Sequence, residues 1–388
     1  MNPPTTIPGR SLTDDMNAVM ENGPARNPVA GNARGPRSLS PVFVLGCGRS
    51  GTKFLYHTLL SAGGFAVYHA ESNAFNLLGL RFGNLASRRN RRKLLNAYYK
   101  SKLFQRTGLE PNDIDDLVMD NCRNAGDFLR IVMETIAAKQ GAQRWAESTP
   151  LHLLYLPLIK KVIPDALVIH IIRDGRDVTA SLHRIGWIRP LPWDKSRAFL
   201  VPAIFWRWIV GKGRRYGKAL GQDYMEVHYE NLVQNPRATL AQIGEFIDHD
   251  LDHDRIQQVA LGSVHNPNSS FRGDGKETEA ATIGRWKRMF TAPQGRDIES
   301  SIGGLLVDTG YKLETPVAEL HPSLPTLLVS GTVTEFARAD CADGFLPKGA
   351  CSPVELLGRI HNMVQRKRGP KKQVQSVMME ERELAVAS

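Results

Sequence analysis

Eight residues near the front of the chain constrain its fold more than any others: Gly46-Cys47-Gly48-Arg49-Ser50-Gly51-Thr52-Lys53. They follow a short, β-branched apolar run, Val42-Phe43-Val44-Leu45. Helical spacing comes after them, at Phe54, Leu55, Thr58 and Leu59, and stops at Gly63-Gly64. The pattern is strand, glycine-rich loop, helix. In such a unit the glycines let successive backbone N–H groups turn inward, and the helix N-terminus adds partial positive charge at the same point. The loop therefore predicts a cradle for a phosphate or a phosphosulfate. A Walker A loop has lysine directly after its last glycine and then a hydroxyl that holds magnesium. Here the order is Gly51-Thr52-Lys53, and a further cation, Arg49, stands inside the loop. That exchange puts charged donors on the anion without committing a hydroxyl to a metal.

The rest of the chain repeats the alternation. Ala166 to Ile172 has the continuous apolar character of an interior parallel strand, with shorter strands at Trp145-Ala146-Glu147 and Met225 to His228. Between them lie helical segments at Leu77 to Phe82, Phe128 to Ile136, Leu151 to Val162, Asp177 to Leu182 and Ser196 to Ala219. Strands alternating with helices predict a three-layer α/β/α domain around a central parallel sheet, over residues 41–315. The Pro- and Gly-rich residues 1–40 read as a disordered tail. Residues 316–388 read as an extension with a strand at Leu327 to Val329, a short helix at Pro353 to Val364 and a polar end. No run approaches the length of a membrane span, and the first forty residues carry no secretory h-region, so the expected location is cytoplasmic. Cys47, Cys122, Cys341 and Cys351 form neither a C-x-x-C pair nor a zinc spacing and are expected to be free thiols, with no metal site. The net charge of +11 suits an anionic ligand. Nucleic acid would suit it equally on charge alone, but no zinc finger, RRM or helix-turn-helix pattern emerges. The basic run Arg88 to Lys93 reads as a solvated face, with the path of an acidic acceptor as the other reading.

The loop, with Gly48, Arg49, Ser50, Gly51, Thr52 and Lys53, resembles the 5′-phosphosulfate loop of the sulfotransferases, in the form carried by the tyrosylprotein and bacterial branches. Four further segments are similar to that family in the expected order. Ile172-Arg173-Asp174-Gly175 through Ser181 resembles its 3′-phosphate segment, which implies that Arg173 and Ser181 bind that phosphate. Arg176 and Asp177, in the same segment, read as a loop ion pair and a helix cap. His228-Tyr229-Glu230-Asn231-Leu232 resembles the strand-then-Tyr-Glu-Asp-Leu signature; Tyr229 is either near the adenine or a core and capping residue. Ile283-Gly284-Arg285-Trp286-Lys287 resembles the late segment that closes over the nucleotide, which implies roles for Gly284, Arg285 and Trp286. The polar loop Asn266 to Thr282 before it suits a lid, with Arg272 and Lys276 as weaker candidates. Trp145-Ala146-Glu147-Ser148-Thr149-Pro150 is similar to a Lys-Thr-Pro segment but has Ser148 at the lysine position, so Lys53 is expected to supply that charge.

The resemblance implies a sulfotransferase of P-loop-like fold that uses 3′-phosphoadenosine-5′-phosphosulfate without a metal. Its acceptor would be a hydroxyl on a carbohydrate, lipid, peptide or small metabolite. Arg49 and Lys53 would stabilise the transferred group, and Glu71 would be the general base, kept ionised by nearby basic residues, with His69 as the alternative. A P-loop kinase and a catalytically inactive nucleotide-binding module are the rival readings. Acceptor identity and oligomeric state are not legible.

Overall fold

Alternate residues of the first strand face opposite ways, yet all four are apolar, so this strand has to be covered on both sides. A computed structural model describes residues 36–186, 197–265, 282–315, 327–330 and 344–347. In it, five parallel strands form one sheet in the order β2-β3-β1-β4-β5. They are β1 (Val42–Leu45), β2 (Phe65–Ala66), β3 (Arg144–Glu147), β4 (Leu167–Ile172) and β5 (Tyr224–His228). Val42 and Val44 pack with Leu55, Leu59, Ile169, Leu240, Ile243 and Ile256 under helices Thr52–Ser61, Pro236–Ile247 and His253–Val259. Phe43 and Leu45 face the other layer, with Val168, Phe128, Ile136, Trp206, Ile209 and Ile302, under helices Ala125–Gln140, Leu200–Lys218 and Ala292–Asp308. This is the expected three-layer α/β/α arrangement.

Topology then positions the site. β1 lies between β3 and β4, in register Phe43↔Glu147 on one side and Leu45↔His170 on the other. The chain turns one way out of β1, toward β2, and the other way out of β4, toward β5, so the loops leaving β1 and β4 part and open a crevice at the strand ends. Because the strands are parallel, the segments after β1, β3, β4 and β5 all emerge at this one edge. The motifs of the sequence converge there.

Local structure departs from the simple periodic reading in places. Leu77 to Phe82 is not one helix. Asn73 is left-handed (φ 52°), and a wide turn over Ala74–Leu78 is followed by a single turn at Gly79–Arg81. The segment from Leu151 begins as a 3-10 turn, Pro150–Tyr155, before helix Leu156–Val162. Arg37–Leu39, inside the stretch read as a tail, forms a 3-10 turn. The buried Arg144 guanidinium holds this turn, donating to the carbonyls of Arg37 and Ser40. Leu327–Ser330 is a strand, paired in parallel with Gly344–Pro347 in a separate two-stranded sheet. The rest of the tail, the helix expected at Pro353 to Val364, Cys341, Cys351, Arg272 and Lys276 lie outside the described residues.

The basic run sits on helix Arg88–Tyr99, where Arg92 pairs with Asp115 at 2.7 Å and Arg88 with Asp120 at 3.4 Å. Arg91 donates to the carbonyls of Leu85, Ala86 and Cys122. Much of the run is thus matched to its own protein, as a solvated face would be. Cys47 and Cys122 are free and buried, and burial pushes the Cys122 thiol up to about 12. Among the described residues no helix is long and apolar enough to cross a membrane.

Candidate active site

The glycine loop is built by contacts that leave no room for a side chain. A Cβ on Gly46 would lie 2.5 Å from the carbonyl oxygen of Ile171 on β4. One on Gly51, at φ +95°, would lie 2.5 Å from the Tyr229 ring. Arg49 itself is left-handed, at φ 74°, the kind of backbone that turns neighbouring amides into an anion nest. Gly51→Ala is therefore expected to destabilise the protein by about 1–3 kcal/mol through clash and backbone strain. A thermal melt with no loss of stability would contradict this account of the loop.

Four of the predicted binding residues meet above the loop. Arg49 donates from Nε to the Ser181 hydroxyl at 3.0 Å. Arg173 leaves the end of β4 and donates to the Arg49 carbonyl at 3.3 Å and to the Thr282 carbonyl at 2.6 Å. Burial lowers the Arg49 pKa, and the charges of Arg173 and Arg285 lower it further. Two guanidiniums acting on a third make a cationic cluster that favours an anion beside it. Two polar atoms fit that expectation. Ser50 Oγ and Arg173 Nε are buried without a hydrogen-bond partner among the described residues.

Tyr229 forms the floor. Its ring packs against Gly51, the Arg173 guanidinium lies 4.5 Å over its centroid, and its hydroxyl pairs with Thr282 at 2.9 Å. Glu230 accepts from the Asp174 amide at 3.0 Å and from the Tyr311 hydroxyl at 2.7 Å, tying the turn after β5 to the segment that leaves β4.

Asp177 differs from its sequence reading. The helix Gly175–Ile185 is capped by Asp174, whose side chain accepts from the Arg176 amide at 2.8 Å. Asp177 instead accepts from the amides of Gly284 at 2.7 Å and Trp286 at 2.9 Å. It is a clasp that fastens the late segment, and Arg285 with it, onto the helix carrying Ser181. Burial raises its pKa against the opposing pull of Arg173 and these amides. Arg176 does form an ion pair, with Asp174 at 2.7 Å and Glu299 at 2.5 Å, while its guanidinium lies 4.6 Å over the Trp286 ring. The four-residue spacing of Asp177 and Ser181 on one helical face was the available signal.

Lys53 lies exposed on the first turn of helix Thr52–Ser61, on the side of Glu71, whose pKa its charge lowers. Ser148 is buried at the end of β3. His57 packs with His69, ring centroids 5.5 Å apart, and burial, His69 and Lys53 push the His57 pKa down to about 4. His69 and Glu71 are both exposed on the segment after β2. The basic neighbours of Glu71 do not set the direction of its shift. Desolvation and the charge of Glu147 raise its pKa, and Lys53 and His152 offset this only in part. Among the described residues no three His, Cys, Asp or Glu side chains gather as a metal-binding group.

The chain is 26% identical over 182 residues to human sulfotransferase 6B1, covering 42% of this chain and 59% of that protein. The sulfotransferase domain of the Synechococcus PCC 7002 olefin synthase is 19% identical, with a TM-score of 0.49 over 74% of this chain and all of that one. The sulfotransferase domain of the curacin biosynthetic pathway is 15% identical, with a TM-score of 0.49 over 70% of this chain and 98% of that one. The model of the sulfotransferase family matches residues 41–253, more than half of the chain. The chain belongs to the sulfotransferase family.

Proposed function

We propose that this protein moves a sulfuryl group from 3′-phosphoadenosine-5′-phosphosulfate to an acceptor hydroxyl by in-line displacement. The observation that carries the reading is the meeting of Arg49, Arg173 and Arg285 with the Ser181 hydroxyl above a glycine loop whose Ser50 Oγ has no partner among the described residues. In this reading the 5′-phosphosulfate lies along Gly48 to Lys53, and the 3′-phosphate between Arg173, Ser181 and Arg285. Tyr229, Gly284 and Trp286 shape the walls rather than contribute charge. The donor's two anionic ends match the two cationic ends of the site.

During transfer the acceptor oxygen bonds to sulfur while the sulfur–oxygen bond to the 5′-phosphate breaks. The leaving phosphate gains negative charge, which Arg49 and the loop offset. The acceptor's proton passes to the Glu71 carboxylate. A carboxylate with a raised pKa is a stronger base than an ordinary surface glutamate, and desolvation next to Glu147 supplies that shift. Lys53 provides the charge on the transferred group that Ser148 cannot.

The test is release of 3′-phosphoadenosine 5′-phosphate from the donor, with a panel of hydroxyl acceptors and with EDTA present. Acceptor-dependent release supports the reading, and no release with any acceptor class counts against it. Lys53→Ala should lower kcat about 10–100-fold, the range for losing one charge-assisted hydrogen bond of about 1.5–3 kcal/mol. Full turnover with unchanged donor affinity would remove Lys53 from the mechanism.

A further inference from the structure

The segment carrying Glu71 makes almost no sheet contact of its own, since β2 is only Phe65–Ala66. It is pinned instead by side chains from other elements. Gln140 accepts from the Val67 amide at 2.7 Å and donates to the Val67 carbonyl at 3.0 Å. Tyr56 donates to the Tyr68 carbonyl at 2.6 Å. Past Glu71, Ser72 donates to Glu147 Oε1 at 2.8 Å, and the Asn73 amide reaches Thr149 Oγ1 at 3.3 Å. The Phe75 amide donates to His152 Nε2 at 3.2 Å. Three side chains from the end of β3 and the turn after it thus form a template for residues 72–75.

Glu147 organises that template. Its carboxylate is 2% exposed and accepts four hydrogen bonds. Oε1 takes the hydroxyls of Ser72 and Thr149; Oε2 takes the Thr149 amide at 3.2 Å and His152 Nδ1 at 3.1 Å. A carboxylate oxygen only accepts, so Nδ1 is the nitrogen that donates to Glu147, while Nε2 lies 3.2 Å from the Phe75 amide and 3.1 Å from Asn76 Oδ1. Four donors fill the acceptor capacity of a carboxylate, and an amide at this position would turn an N–H toward donors. Glu147 is also paired in register with Phe43 on β1, three residues before the glycine loop starts at Gly46.

We infer that Glu147 is a positioning residue for the transfer reaction: it fastens the segment bearing Glu71 to the strand that leads into the donor loop. The inference rests on Glu71 being the base. Catalysis of this kind depends on reacting groups held within a fraction of an ångström, and a misplacement of about 1 Å can cost about 10²-fold. The titratable groups that act on Glu71 are Glu147, Lys53 and His152. Burial works to raise the Glu147 pKa, but His152 and the bonds from Thr149 and Ser72 outweigh it, so Glu147 stays charged and raises the pKa of Glu71.

The experiment measures kcat against pH, with affinity for 3′-phosphoadenosine 5′-phosphate measured alongside, in four variants of the full chain. Glu147→Gln should lower kcat about tenfold. It should also move the acid limb of the profile to lower pH, because loss of the neighbouring negative charge lets the Glu71 pKa fall. Nucleotide affinity should not change. A role in stability alone would lower the melting temperature and leave kcat of the folded variant at the parental value. Ser72→Ala breaks the strap but keeps the charge, so it should lower kcat with no movement of the limb, and Ser72→Thr should restore it. If Glu147→Gln does not fold, Ser72→Ala decides: wild-type kcat would overturn the inference. Wild-type kcat and profile in both variants, beside an inactive Glu71→Gln, would overturn the positioning role alone. An active Glu71→Gln would overturn the base assignment underneath it.

Discussion

Arg173→Ala is expected to weaken binding of 3′-phosphoadenosine 5′-phosphate by about 10²–10³-fold. Truncating one member of a buried, hydrogen-bonded charge pair costs about 2–5 kcal/mol, and Arg173 has the geometry for the full effect. It leaves the end of β4 as a rigid fork, backed by Tyr229 and held by the carbonyls of Arg49 and Thr282. Its Nε is still without a partner among the described residues. The same substitution relieves the repulsion that lowers the Arg49 pKa, so the loss should be confined to ligand affinity. Calorimetric titration of variant and parent, with a thermal melt of each, checks the result. A folded variant with parental affinity would move the 3′-phosphate away from β4.

Glu71→Gln is expected to lower kcat by about 10²–10⁴-fold while leaving nucleotide affinity intact, since general-base catalysis is worth that range. Glutamine keeps the shape and loses the ability to take a proton. In the parent, desolvation and Glu147 raise the Glu71 pKa. The acid limb of kcat should therefore lie above the range of an ordinary glutamate, with activity present above that limb and lost as pH falls through it. Single-turnover rates at several pH values with saturating donor measure both features. Retained turnover in the variant would pass the role to His69, which is exposed on the same segment.

Much of the proposed donor site is legible in the sequence because its signals are local. Gly46 to Lys53 is one contiguous loop, and Arg173 and Ser181 belong to one strand-to-helix turn. Parallel strands bring both to the same edge whatever lies between. The supports are not local. Asp177 meets the amides of Gly284 and Trp286 more than a hundred residues later, and Arg176 meets Glu299 across a similar span. Read alone, Asp177 at the start of a helix is a cap. Only the fold shows that Asp174 already fills that place.

The segments after β2 are less legible for a related reason. Apolar spacing from Leu77 to Phe82 fits a helix, but Asn73 and side chains from β3 and the following turn shape this stretch into a wide turn. Likewise the basic run Arg88 to Lys93 acquires its meaning from Asp115 and Asp120 on another helix. Cation count near Glu71 points to a lowered pKa, whereas partial desolvation and one buried anion, Glu147, set the direction of its shift upward.

The measurement that tests the central claim most directly is calorimetric titration of the unmodified protein with 3′-phosphoadenosine 5′-phosphate in EDTA, run beside ATP with magnesium. The arginine cluster and the Thr52-Lys53 order predict tight binding of the first without metal and weak or absent binding of the second. Binding of ATP with magnesium alone would contradict the account and point to a kinase.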